Sequence, residues 1–131
     1  MSPAEAFNTS PGNHKKVILV VDDEPGIREF LATYLSSKNF KVLTAADGRE
    51  AQEKWRSCDG KIDLLLTDVI MPECNGKALA KLLTIQNPAL KVIFMSGFLP
   101  EELAEESLDC PFFRKPFHPV ELLEVIRETL H

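Results

Sequence analysis

The chain has 131 residues, enough to bury one hydrophobic core but not two, and its make-up is that of an ordinary globular protein, 44% hydrophobic and 27% charged. Acidic residues outnumber basic ones by 20 to 15, a formal charge of -5, which argues against direct binding to a nucleic-acid backbone. No apolar run approaches the roughly 18 residues needed to cross a bilayer. Met1 to Lys16 also lacks the apolar core of a secretion signal, so a cytoplasmic protein that does not enter a membrane is expected.

Residues 1–16 are rich in Pro, Ser, Asn and Gly and carry no apolar period, which predicts a flexible tail or linker ahead of one domain over 17–131. Val17 to Val21 is a run of five apolar, mostly β-branched residues, suited to a strand buried on both faces. Pro25 is a good first helical residue. After it Ile27, Phe30, Leu31, Tyr34 and Leu35 recur at amphipathic-helix spacing. A weaker strand follows over Phe40 to Ala45. Asp47 with Glu50 forms an N-capping pair for a helix through Trp55.

The third strand is expected over Ile62 to Thr67, followed by a helix presenting Ala78, Leu79, Leu82 and Leu83 on one face. Val92 to Met95 predicts a fourth strand, and Pro100 to Leu108 a short acidic helix of weak periodicity. A brief strand at Phe112–Phe113 precedes a last helix from Pro119, with Leu122, Leu123, Ile126 and Leu130 inward. Five successive βα units imply a mostly parallel sheet covered by helices on both faces. The continuous apolar runs belong to strands one, three and four, which puts those in the centre and gives the order 2-1-3-4-5.

In such a sheet the functional site lies beyond the carboxyl ends of the strands. Strand one runs into Asp22, Asp23 and Glu24, strand three into Asp68, strand four into Ser96, and strand five leads to Lys115. Strand two ends only in alanines. Any one of these carboxylates alone is more often a loop or helix cap, and Ser96 alone an ordinary loop residue. Three anions brought together repel unless a cation sits among them. An all-oxygen cluster at a solvent-facing edge suits Mg²⁺. With a lysine and a hydroxyl alongside, such a site is suited to a phosphoryl group. Cys58, Cys74 and Cys110 are odd in number and lack metal-ligand spacing, so free thiols and no structural metal are expected.

The segments VVDDEPGIREFL, LLLTDVIMPECNG, VIFMSGF and FFRKPF, in that order, resemble the motifs of response-regulator receiver domains of two-component signalling. The resemblance covers residues 17 to 130. It implies a flavodoxin-like (βα)5 three-layer sandwich and a phosphoacceptor that catalyses its own phosphorylation, rather than a conventional enzyme. Asp68 is then the acceptor. Asp23 and Asp68 ligate Mg²⁺ through their carboxylates, Asp22 acts directly or through water, and the Ile70 carbonyl completes the protein ligands. Lys115 pairs with a phosphoryl oxygen, and Ser96 moves to hydrogen-bond another. Phe112, three residues before the lysine, takes the aromatic switch position without a phenol and could equally be plain core. Pro116 resembles the family's usual cis peptide, Gly97 leaves room beside Ser96, and Gly76 shapes the loop after Asp68.

The resemblance further implies a sensor histidine kinase or a histidine phosphotransfer protein as partner. It also implies output through the surface of the fourth helix, fifth strand and last helix, from a monomer or a phosphorylation-dependent dimer. The stretch from Ser96 to Lys115 is short for the family, and MSGF with FLPEELAEE looks more like receivers attached to hybrid sensor kinases. A receiver that binds partners without phosphorylation is disfavoured by the intact acidic pair, acceptor and lysine. A phosphatase with an aspartyl-phosphate intermediate needs an acid two residues after the nucleophile, where this chain has Ile70. A P-loop is missing, and Asp-Asp-Glu after strand one would repel a flavin phosphate. The bulky Ile70 and Phe98 predict slow loss of the phosphoryl group.

Overall fold

In the computed structural model, residues 15–71, 74–97 and 111–130 are described. Strand β1 (Val17–Val21) leads to helix α1 (Pro25–Ser37), β2 (Lys41–Ala45) and α2 (Gly48–Ser57). β3 (Leu64–Asp68) is followed by two two-residue strands, β4 (Ile70–Met71) and β5 (Cys74–Asn75), which pair antiparallel, and then by α3 (Gly76–Gln86). β6 (Lys91–Ser96), β7 (Phe112–Arg114) and a last helix (Pro119–Leu130) complete the described elements. The helix expected over 100–108, together with Phe98, Cys110 and residues 1–14, lies outside the described residues.

The five long strands form one sheet in the order β2-β1-β3-β6-β7, which is 2-1-3-4-5 when only that sheet is counted. All four pairings are parallel. The continuous apolar strands take the centre for the expected reason: their residues alternate between two separate cores. Leu19, Val21, Leu65, Val92 and Phe94 point into one layer with Ala51 and Trp55 of α2 and Leu79 and Leu83 of α3. Ile18, Val20, Leu64, Leu66, Ile93 and Met95 point into the other with Leu31 and Leu35 of α1 and Leu122 and Ile126 of the last helix. A strand covered on both faces has no polar side to show in its sequence.

Helix ends follow local chemistry. α1 closes with Asn39 at φ 73, the left-handed conformation that asparagine tolerates. The amide of Phe40 then donates to Leu35 O and that of Asn39 to Ser36 O. α2 ends in the same double bond pattern, Gly60 to Trp55 O and Asp59 to Arg56 O. At its start, Asp47 Oδ1 accepts from the Glu50 amide at 2.8 Å, and the Glu50 carboxylate accepts from the amide of Ala46. The expected capping pair is therefore present, with its return bond made one residue earlier than in the usual box.

Two helical faces differ from expectation. α3 buries Leu79, Ala80 and Leu83, while Ala78 is exposed and Leu82 is 39% exposed. Phe30 of α1 is 45% exposed and stacks on Tyr34 at 5.8 Å instead of entering the core. Both helices lie on a sheet that covers only part of their circumference, so an apolar stripe wider than that contact leaves its margin in water.

Candidate functional site

The strand ends carry the only buried polar side chains among the described residues: Asp22, Thr67, Asp68 and Ser96. Asp22 follows β1 directly and is fully buried. Its amide donates to Ala45 O at 3.1 Å, which ties the loop to the end of β2. Its Oδ1 accepts from the Glu24 amide at 2.9 Å, and its carbonyl accepts from Arg28 Nη1 at 2.7 Å. The acidic loop is thus held by the first turn of the helix it precedes. Asp23, by contrast, is exposed.

Asp68 is the last residue of β3 and lies beside Met95 in the register with β6. Its Oδ1 accepts from the Ile70 amide at 3.1 Å. Ser96 ends β6 at 1% exposure, and its carbonyl accepts from the Lys115 amide at 2.7 Å. Lys115 is followed by a cis peptide bond to Pro116, as the resemblance implied. Its ammonium Nζ stands 2.6 Å from Asp22 Oδ2, 2.9 Å from Asp68 Oδ2 and 3.2 Å from Glu24 Oε1. The Asp22 contact is an ion pair without hydrogen-bond alignment, so that buried oxygen keeps an unmatched lone pair.

Burial pushes the Asp22 carboxyl above its ordinary range, and the nearby Asp68 charge pushes it the same way. Lys115 and the Glu24 amide pull it back only in part. Burial works against the Lys115 ammonium too, but the charges of Asp22 and Asp68 and the hydrogen bond to Asp68 outweigh it, and its pKa is raised. One ammonium therefore stays charged amid an excess of carboxylates. Oxygens of Asp22, Asp23 and Asp68 lie within 4.8 Å of one another. A cluster of hard oxygen donors with one unmatched buried oxygen fits a hard divalent cation.

The expected residues Asp22, Asp23, Asp68 and Lys115 are brought together, with Ser96 at the adjoining strand end. Ile70 projects outward at 49% exposure. Phe112 is half-buried and packs on the core layer of α2 and α3. Among the described residues, a side chain at Gly97 would meet only Lys115 Cβ, at 3.9 Å. Two participants had no assigned role in the sequence: Glu24 on the lysine and Arg28 on the loop carbonyl. Their signal was position alone, a third acid after the pair and a basic residue one turn into the helix. A cleft of about 610 Å³ lined by Trp55, Gly60 and Gln86 lies at the other end of the sheet, beside the C-termini of α2 and α3. The chemistry does not lie there, because the carboxylate cluster sits beyond the opposite strand ends.

Comparison with known proteins agrees with this geometry. The family model for the response regulator receiver domain matches residues 18–127. Response regulator receiver protein CpdR of Brucella abortus is 34% identical over 118 residues, covering 88% of this chain and 97% of CpdR. Sensor kinase CckA of the same organism is 33% identical over 116 residues, 86% of this chain but only 12% of CckA, so the chain spans a small part of that relative. Response regulator protein TrrA from Thermotoga maritima, solved in complex with Mg²⁺-BeF, superposes with a TM-score of 0.74 at 33% identity, covering 87% of this chain and 98% of TrrA. With this sheet order, this cluster of side chains at the strand ends and a match over nearly its whole length, the chain belongs to the response regulator receiver domain family of two-component signalling.

Proposed function

We propose that Asp68 accepts a phosphoryl group from the phosphohistidine of a sensor histidine kinase or a histidine phosphotransfer protein, and that the domain itself catalyses the transfer. The observation that carries this reading is Lys115 Nζ, held 2.9 Å from Asp68 Oδ2 within a cluster of three carboxylates. A carboxylate oxygen of Asp68 bonds to phosphorus as the P–N bond breaks, and the imidazole leaves neutral, protonated on its other nitrogen. Lys115 then holds a phosphoryl oxygen, because its fixed charge lies where negative charge builds. Asp22, Asp23, Asp68 and the Ile70 carbonyl would hold Mg²⁺, which would supply positive charge for the remaining phosphoryl oxygens.

Ser96, carried on the strand end beside Asp68, donates its hydroxyl to the phosphoryl group, and Phe112 repacks with it. The signal passes to the surface around β7 and the last helix, in a monomer or a phosphorylation-dependent dimer. Residues 17–131 form this unit behind a linker of residues 1–16, in the cytoplasm; no described helix is long and apolar enough to cross a membrane. The test is intact mass after incubation with Mg²⁺ and acetyl phosphate. Wild type should gain one phosphoryl group and Asp68→Asn none. Equal gain by both would move the acceptor elsewhere, and no gain by wild type would leave a receiver that works without phosphorylation.

A further inference from the structure

The structure sets three carboxylates around the Lys115 ammonium: Asp68 at 2.9 Å and Glu24 at 3.2 Å accept its N–H bonds, and Asp22 at 2.6 Å is ion-paired with it. The three are not equivalent. Asp22 is fully buried and Asp68 nearly so, whereas the Glu24 side chain is 62% exposed. Glu24 also follows a loop whose backbone is pinned by Arg28 on the Asp22 carbonyl, so its side chain can swing away while the loop stays in place. A phosphoryl oxygen arriving at Asp68 needs one of these N–H bonds. Of the three carboxylates, only Glu24 can return to water without desolvation cost, since it is largely hydrated already.

We propose that Glu24 is a specificity-determining residue of the transfer site, a displaceable anionic cap on Lys115 that disfavours phosphodonors in proportion to their negative charge. This rests on the reading of Asp68 as phosphoacceptor. In the resting state Glu24 accepts an N–H bond of Lys115 on the solvent side, where it faces any donor that approaches. A small dianionic donor must meet that charge in the open. A phosphohistidine presented by a protein instead arrives with an imidazole leaving group and surface contacts that displace the Glu24 side chain. The cap thereby insulates the domain from metabolic acyl phosphates while leaving it open to its protein donor.

Acetyl phosphate and phosphoramidate separate charge from structure. With acetyl phosphate the new O–P bond forms at Asp68 as the P–O bond breaks and acetate leaves with the electron pair. With phosphoramidate the P–N bond breaks and ammonia leaves. The first donor is a dianion at neutral pH, and the second is a zwitterion with a net charge of about -1. Phosphorylation rates of the full chain are measured by intact mass at saturating Mg²⁺ for wild type, Glu24→Gln, Glu24→Asp and Glu53→Gln; Glu53 is exposed on α2.

Glu24→Gln should speed acetyl phosphate roughly three- to tenfold at low ionic strength, and phosphoramidate by about the square root of that factor. Both gains should shrink in about 0.5 M salt, where the Debye length falls to a few ångströms. Glu24→Asp, which keeps the charge, and Glu53→Gln, which removes one elsewhere, should stay near wild type. Unchanged or slower rates in Glu24→Gln overturn the proposal. So does an equal gain with both donors at every salt concentration, which would mark a purely structural effect. If wild type takes a phosphoryl group from neither donor, the acceptor reading itself fails and the cap falls with it. That outcome is distinct from a phosphorylated wild type with an indifferent Glu24.

Discussion

Gly76 opens α3 where that helix passes the carboxyl end of β3, and its amide donates to Val69 O at 2.8 Å. A Cβ at this position would stand 2.1 Å from the carbonyl oxygen of Asp68 and 3.0 Å from both the Asp68 carbonyl carbon and Val69 Cα. All three obstacles are backbone, so no side chain can rotate aside, and either the helix or the acceptor's peptide must retreat by about 1 Å to restore ordinary contact. Forcing a methyl into such a contact costs about 1–3 kcal/mol. The better helix propensity of alanine returns at most about 1 kcal/mol, and less at a first-turn position. Gly76→Ala is therefore expected to lose roughly 1–2 kcal/mol in urea denaturation. Because the displaced peptide belongs to the acceptor, its phosphorylation rate should drop by about 100-fold, the effect of a 1 Å misplacement of a reacting group. A variant with the wild-type urea midpoint and wild-type rate refutes the argument. Lost stability with an unchanged rate would mean that the helix yields and Asp68 does not, which breaks the link between this contact and the site.

Three further outcomes are expected. Mg²⁺ should raise the thermal midpoint of wild type by binding only the folded state, worth about 2.7 kcal/mol at 100 times the dissociation constant, and Asp23→Asn should remove most of that rise; an equal rise in the variant would place the ion elsewhere. The folded pKa of Asp22 lies above its unfolded value, so its contribution to stability is present below the unfolded pKa, near 4, and is lost as pH rises through the folded one. In EDTA, the stability of wild type relative to Asp22→Asn should therefore fall as pH increases over that window, and parallel urea profiles for the two would show that burial does not perturb the carboxyl. The expectation that Ile70, half-exposed two residues after Asp68, shields an acyl phosphate from water predicts that Ile70→Asn shortens phosphoryl lifetime several-fold, measured by mass after donor removal. An unchanged lifetime would rule out that shield.

The sheet was legible in the sequence because a strand buried on both faces needs an uninterrupted apolar run, and Val17–Val21, the third strand and the fourth each have one. The acids Asp22, Asp23 and Asp68 were legible for a related reason: a carboxylate directly after such a run sits at the carboxyl edge of the sheet wherever the strand is placed. Local chemistry also announced the start of α2, since Asp47 needs only a residue three positions on to cap. Other features depend on what lies opposite a residue, and period alone cannot supply that. The inward face of α3 turned out to be Leu79, Ala80 and Leu83, not the stripe with Ala78 and Leu82, because the sheet beneath fixes the helix rotation. Phe30 left the core for Tyr34 for the same reason. The third carboxylate on Lys115 and the guanidinium on the Asp22 carbonyl arise only when residues 91 and six positions apart are folded together. The sequence by itself determined which residues end the strands. Tertiary structure decided which of them share a proton-rich partner, because ion pairing falls off over a few ångströms and only the folded chain sets those distances.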